Sequence, residues 1–452
     1  MSDQDGAQPS TKRRRSRKTS TTNDEQNGKQ APAVQHPTND DTEAWKAYWK
    51  VQGQPWRTEP EIDTERQAFL DERRSIIADV EQGIYPFKEI KLSRADVEWL
   101  LATFEYVHRL ADWNDWRQPG PDGLDLRGAD LRHVDLSLLP LTRLRGGLKY
   151  EEWIHANVEQ RSMAVMHMEG ASLHWTHLEG AHFYETRLER ADLREAHLEG
   201  AHFRGVHLEG ALLRGAYLEG ANLRNAHLEG CDLRGAFFTS ATNLANIRLG
   251  NEKFGVASLG GVRWDDVELS VIDWTQIKIL GDELQARQQM RDNGEMKTAA
   301  IRLEEYQATV RANRRLAIAL QEQGLNEVAA SFAYRAQLLQ RKVFWYQRKF
   351  GQYLFSLFLD LLAGYGYKPG RSFIAYALVV SVFATIYHLL GVHLAWNEAI
   401  VISMTAFHGR GFFPDQFHPG DPQALVAAIE AFVGLLIEVT FIATLTQRLF
   451  GK

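Results

Sequence analysis

A single cysteine, Cys231, stands among 452 residues. That excludes an internal disulfide framework and any site built from several cysteines. A basic excess is also missing: the formal net charge is −6 and the isoelectric point is about 6.3. Such a balance suits a cytoplasmic protein and argues against nucleic-acid binding along the whole chain. The N-terminal stretch has no apolar h-region, so no secretory signal is expected. Aliphatic side chains are nearly absent from residues 1–42, which are mostly Ser, Thr, Gln, Asn, Asp and Lys. A segment of that kind buries too little surface to offset its ordering entropy and is expected to be a disordered tail. Its basic cluster from Lys12 to Lys18 is of a size that attracts anionic lipid or nucleic acid, with the inner leaflet the nearest acidic surface. No nucleophile–base pair or carboxylate pair recurs in a catalytic spacing, so no enzyme activity, cofactor or metal is assigned.

Long apolar runs are confined to one end. Mean hydropathy over the whole chain is −0.35, yet Ser372–Val392 carries no charge and Leu425–Leu445 is interrupted only by Glu430 and Glu438. Each is long enough to cross a bilayer as a helix. Between them, Trp396–Pro422 offers a short helix-like segment and the turn Phe407-His408-Gly409-Arg410-Gly411. Ahead of them, Phe344–Leu362 gathers aromatic residues beside Arg348 and Lys349, as a helix in the membrane interface does. Gly364-Tyr365-Gly366 precedes the first run within a basic loop and is read as the bend into it.

The middle of the chain has another order. From Met163 to Phe238 every fifth residue is large and apolar, with a small residue such as Ala191, Ala201 or Cys231 two places before it. The frame begins earlier, at Leu126, Leu131 and Leu136. It resumes after a one-residue slip at Leu244, Leu249, Phe254, Leu259, Trp264 and Leu269. A period of five fits neither helix nor strand. A second layer has period ten: Glu169, Glu179, Glu189, Glu199, Glu209, Glu219 and Glu229 alternate with Arg194, Arg204, Arg214, Arg224 and Arg234. His167, His177, His197, His207 and His227 stand two residues before their glutamates. Histidines so placed relieve carboxylate repulsion when protonated. A metal ladder is another reading, but duplication of a ten-residue unit explains the regularity without a ligand.

Runs such as Ala191-Asp192-Leu193-Arg194-Glu195 and Ala221-Asn222-Leu223-Arg224-Asn225 resemble the pentapeptide-repeat family. The resemblance implies a right-handed quadrilateral β-helix, one pentapeptide to a side, with two opposite faces carrying glutamates and the other two arginines. The tryptophan-rich segment before it, with a capping-box signal at Ser93 to Asp96, is read as a helical cap on the open end of the repeat stack. Arg302–Gln323 and Glu327–Lys342 flank Gly324-Leu325-Asn326 as a helical hairpin, with Gly324 stopping one helix and Asn326 starting the next. The expected division is a tail over 1–42, a helical cap over 43–122 and the β-helix over 123–280. A hairpin linker follows over 281–342, then an interfacial helix and loop over 343–371 and a two-span membrane pore domain over 372–452.

Ser372 to Phe450 resembles the two-helix potassium-channel-like pore family through the pore-helix stretch Trp396–Thr405, the G-x-G of Gly409 and Gly411, Pro414, Glu430, Gly434 and Ala443-Thr444. The resemblance implies a homotetramer with a selectivity filter at Phe407, His408, Gly409, Arg410 and Gly411. Thr405, Gly434 and Glu438 would then belong to the pore helix and lining, with Gly434 where the inner helix bends. His408 and Arg410 replace the valine and tyrosine of a T-V-G-Y-G filter. An arginine there needs a carboxylate; of Glu398, Asp415 and Glu430, the last is the expected partner, and if Arg410 faces the axis instead, anions are favoured. Basic residues before the first run (Arg341 to Arg371) and after the second (Arg448, Lys452) place both ends inside.

The expected protein is a gated ion channel of the cell inner membrane. It passes a monovalent cation with weak selectivity and is regulated by the cytoplasmic repeat domain and whatever partner that domain binds. Membrane lipid surrounds it and nucleic acid is not an expected partner. The alternative is a non-conducting membrane-anchored scaffold. A gyrase-protecting DNA mimic, a role known among pentapeptide-repeat proteins, would need a uniformly acidic rod.

Overall fold

The computed structural model describes residues 36–37, 41–104, 120–291, 294–390, 394–410 and 420–450, without the side chains of 369, 444, 445 and 447–450. The tail at 1–35, Trp113, Trp116, Gly411, Pro414, Asp415 and Lys452 lie outside the described residues, as do the side chains of Thr444 and Arg448.

Three capped helices open the chain. Asp41 caps α1 (Thr42–Val51), Asp63 caps α2 (Thr64–Arg74), and Ser93 with Asp96 forms a capping box at α3 (Arg94–Thr103). In each, a side-chain oxygen accepts from backbone N–H groups that the first turn leaves open. Val97, Trp99, Leu100 and Leu101 of α3 share one apolar core with the repeat leucines, and Lys91 pairs in parallel with Asp130. These helices close one end of the repeat and pair its first strand edge.

Parallel bridges join residues twenty apart, as in His167 to Arg187, Ser172 to Asp192, His177 to His197 and His182 to His202. Bridges therefore recur at four positions, five residues apart, in each twenty-residue coil. Both members of each apolar pair point inward: Ala191 with Leu193, Ala201 with Phe203 and Ala211 with Leu213 are all buried. Cys231 takes a small inward place, where its Sγ donates to the Leu208 carbonyl at 2.8 Å, and burial pushes its thiol pKa up. Corners use positive φ, as at Gly200 (66°) and Gly210 (71°). Glu185, Arg190 and Glu195 accept the same φ without being glycine, at about 1 kcal/mol each.

Two irregularities correct the expected frame. Asp130 bridges His167, thirty-seven residues on rather than twenty. The seventeen extra residues hold α4 (Tyr150–His155) and α5 (Val158–Ala164). Met163 therefore belongs to α5 and not to the wall, and the unbroken inward series starts at Met168. Farther on, β1 (Phe237–Thr239) pairs in parallel with β4 (Arg263–Asp265), while β2 (Gly250–Asn251) and β3 (Gly255–Val256) form an antiparallel hairpin. Phe254 sits in that hairpin, half-buried, while Leu249 and Leu259 on either side point inward.

The far end of the rod is closed by helices. After α6 (Gly281–Arg287), α7 (Ala299–Glu322) and α8 (Asn326–Tyr346) form a hairpin whose Leu316, Leu320 and Phe332 enter the rod's core. Gly324 turns the corner with φ +77°. Asn326 is the first helical residue rather than the cap, a place taken by Leu325 without a side-chain bond. Next come α9 (Phe350–Ala363), α10 (Pro369–Leu390), α11 (Trp396–Phe407) and α12 (Pro422–Phe450). Gly370–Leu390 and Pro422–Ala443, with mean hydropathies of 2.0 and 2.2, are long and apolar enough to span a membrane. At 14 residues α9 falls short of the roughly 20 needed to cross.

Candidate functional site

The twelve-residue α11 packs between α10 and α12, burying Ala399, Ile402, Ser403, Ala406 and Phe407. One carboxylate joins the three helices. Glu430 of α12 is fully buried and accepts from the Tyr387 hydroxyl of α10 at 2.9 Å. Its other oxygen meets the Ser403 hydroxyl of α11, which also reaches the Val380 carbonyl oxygen at 3.0 Å. The expected Arg410–Glu430 pair is not formed, because both Glu430 oxygens are engaged and Arg410 lies exposed at the end of α11. Glu398 is likewise engaged, accepting from the Ala395 N–H at 3.1 Å at the start of its own helix.

The residues read as a filter divide into two kinds. Phe407 ends α11, with its ring buried edge-on against Tyr376 at 4.7 Å. His408, Gly409 and Arg410 are exposed and turn the chain out of the helix. Gly409 adopts φ +68°, and the Arg410 N–H donates to the Thr405 carbonyl at 3.0 Å, as at a helix C-terminus closed by a left-handed residue. Thr405 turns its hydroxyl to the Val401 and Ile402 carbonyls of its own helix. At Gly434, α12 runs unbroken, from Pro422 to Phe450. The residue is glycine because the Phe407 carbonyl packs against the place its Cβ would take. One turn on, Glu438 pairs with His408 Nδ1.

A second polar knot lies where the rod meets the apolar helices. Asp360 of α9 takes Arg341 of α8 at 2.9 Å and Arg371 of α10 at 2.9 Å, and the Tyr334 hydroxyl donates to it at 2.9 Å. Burial alone would raise the Asp360 carboxyl, but hydrogen bonds from Tyr334 and Arg341 and the two guanidinium charges hold it below its usual range. On α8, Arg335 also forks onto the buried Glu283 of α6 through bonds of 2.7 and 2.6 Å. Gly364-Tyr365-Gly366 forms the bend from α9 toward α10, with the Tyr365 and Ser356 hydroxyls 2.5 Å apart. A cleft of about 680 Å³ opens beside it, lined by Phe344, Phe355, Tyr365 and Thr440 among others.

The rod's charged faces follow its bridge columns. Glu169, Glu189, Glu209 and Glu229 share one column with His167, His207 and His227, and Glu179, Glu199 and Glu219 lie two columns away with His177 and His197. The hydrogen bonds that His197 and His207 donate to Glu199 and Glu209 raise both imidazoles above their usual pKa. On a column without glutamates, His182 stacks on His202 at 4.7 Å, and burial pushes His182 down to about 3.

Sequence reading missed the aspartates two places before several arginines. Asp192 with Arg194 and Asp232 with Arg234 are ion pairs at 2.5 Å, signalled by the A-D-L-R and C-D-L-R runs. It also missed Tyr387, Ser403 and Asp360, because nothing local to each residue indicates that it meets a partner on another helix.

Residues 171–210 and 201–239 match the family model described as pentapeptide repeats, so this stretch of the rod is built of such repeats. Among solved structures, the pentapeptide repeat protein Rfr23 from the cyanobacterium Cyanothece 51142 is 24% identical, over 31% of this chain and 91% of its own, with a TM-score of 0.23. QnrB1, a plasmid-mediated fluoroquinolone resistance protein, is 17% identical over 31% of this chain and 62% of its own, with a TM-score of 0.20. A pentapeptide repeat protein from the Arabidopsis thaliana thylakoid lumen is 23% identical over 30% of this chain and 81% of its own, with a TM-score of 0.16. No curated protein matches the chain.

Proposed function

We propose that the chain is the subunit of a homotetrameric, gated ion channel of the inner membrane. In this reading α10 is the outer helix, α11 the pore helix and α12 the inner helix, as in potassium-channel-like pores. The repeat rod, read as a right-handed four-sided coil, regulates the pore from the cytoplasm. The observation that carries this reading is the seat of α11. A helix too short to span is held between two helices of spanning length by Glu430, Tyr387 and Ser403, and it ends against Gly434 of α12. Polar groups are costly within a bilayer and mark function there, and a half-length helix is tolerated at that depth where protein or a water path surrounds it.

His408-Gly409-Arg410 would then stand at the entrance to the narrow part of the pore. Glu438 beside His408 supplies a carboxylate that favours cations over anions and opposes the exposed Arg410, and the side chains differ from T-V-G-Y-G enough that discrimination between cations should be weak. The chain of ion pairs from Glu283 through Arg335 on α8, and from Arg341 on the same helix through Asp360 to Arg371 on α10, supports a mechanical link from rod to pore. A partner bound to the rod would act through that link.

Two spans enclose no water path, so the reading requires several copies. Mass measurement of the detergent-purified protein should give four chains per particle. A particle containing a single chain under conditions that keep the protein folded would overturn the pore.

A further inference from the structure

His207 and His227 lie one coil apart on the same column, their rings stacked at 4.5 Å. Glu209 joins them: its Oε1 is 3.2 Å from His207 Nδ1 and 3.6 Å from His227 Nδ1. Glu229 Oε1 lies 3.8 Å from His227 Nδ1. The two carboxylates are well enclosed, with side-chain exposures of 11% for Glu209 and 4% for Glu229. In both, Oε2 is shielded from solvent and accepts no hydrogen bond from another described residue. A shielded carboxylate oxygen without a donor is costly, and Oε2 of Glu169, Glu189, Glu199 and Glu219 shares this state; what singles out this place is the pair of imidazoles held against Glu209. On the outer side, His207 and His227 line a recess of about 390 Å³ that they share with Trp153, Val158 and Ser162 of the inserted helices. A cation and its water can enter there.

We propose that His207, Glu209 and His227 bind one late first-row divalent cation of the zinc class, with water in the fourth place and Glu229 adding negative charge beside it. The donor set makes the choice. Two imidazole nitrogens with one carboxylate oxygen suit Zn²⁺ and its neighbours, whereas Ca²⁺ and Mg²⁺ take oxygen alone. Geometry agrees for these three: a tetrahedral site with arms of about 2.0–2.1 Å has edges of about 3.3–3.4 Å, the two histidine–Glu209 separations are 3.2 and 3.6 Å, and all three donor atoms lie within 4.8 Å of one another. Backbone bridging of His207 to His227 fixes the spacing of the donors before any ion arrives. The column also bounds the site, since Arg187 takes the histidine's place one coil before and Arg248 one coil after. A similar cluster of His177, Glu179 and His197 is poorer, because Glu179 Oε2 already accepts from the Thr142 hydroxyl at 3.1 Å.

The test is a Co²⁺ titration of the full-length protein, without a histidine tag, in detergent and stripped with a chelator. Binding is followed by visible ligand-field absorption and then by displacement with Zn²⁺. Wild type is expected to develop an absorption of tetrahedral strength that Zn²⁺ abolishes. H207Q/H227Q should lose one equivalent, and the isosteric Glu209→Gln should weaken that site by at least the roughly tenfold that loss of an outer-shell partner costs. His174→Gln, on another face, should leave the titration unchanged. Thermal unfolding of each variant without metal checks that the coils persist. Absence of Co²⁺ binding by wild type up to millimolar metal would overturn the proposal. So would an undiminished number of equivalents in H207Q/H227Q.

Discussion

The Phe407 carbonyl at the end of α11 packs against the bare Cα of Gly434 in α12. The contact sets how deeply the short helix sits between the two longer ones. A Cβ there meets backbone, which cannot swing aside as a flexible side chain would. Gly434→Ala should therefore cost about 1–3 kcal/mol by overpacking. Detergent-solubilised variant should unfold at a lower temperature, and α11 should exchange its amide protons sooner. Unchanged stability and exchange would mean that the two helices are not in contact.

Asp360 holds cations from two helices besides its own. Asp360→Asn keeps the shape but removes the charge that Arg341 and Arg371 share, at about 1.5–3 kcal/mol for hydrogen bonds to an ionised group. Faster hydrogen exchange through α9 and residues 364–368 is the expected result, with the rod's protection unchanged. If α9 and the bend keep their protection, the ion pairs do not anchor the junction.

Acid should weaken the rod through His182. Its folded pKa of about 3 lies below the unfolded value of about 6.5. Burial is the main cause, and His202, Lys149 and Arg145 add positive charge around it while Asp122 opposes them. Between these two pH values the unfolded chain holds a proton that the folded chain refuses, so stability is full above about 6.5 and falls as pH drops toward 3. His197 and His207 act in the opposite sense. Their folded pKa values are raised, so what they contribute is present below the unfolded imidazole pKa and lost as pH rises through the folded values. His182→Gln should flatten the acid side of the stability profile, measured by thermal unfolding from pH 7 to pH 4. An unaltered acid slope would remove His182 as its cause.

What the sequence made legible follows from where the information lies. The period of five is written in inward side chains such as Leu193, Leu198 and Phe203, each recording its own burial, so the coil could be read one residue at a time. The insertion holding α4 and α5 keeps Met163 in frame by coincidence, and Phe254 does the same in the β2–β3 hairpin; periodicity alone cannot detect either. Apolar length marked the two candidate spans. The polar contacts between helices were not legible, because Glu430 meets Tyr387 and Ser403 only after three separate segments pack together. A pairing argued from charge alone chose Arg410. The close approach of Phe407 to Gly434 was not legible either, since a glycine looks the same in sequence whether it permits bending or close approach.

The central claim is that four copies of α10, α11 and α12 surround a conducting path, and single-channel recording tests it most directly. Purified, mass-verified tetramer is placed in planar bilayers under a potassium chloride gradient, with ion substitution. The account predicts discrete openings whose reversal potential lies on the cation side with little preference between Na⁺ and K⁺, and a smaller unitary cation current in Glu438→Gln. Intact tetramers that stay silent across voltage, pH and added divalent metal would contradict it and leave a membrane-anchored scaffold.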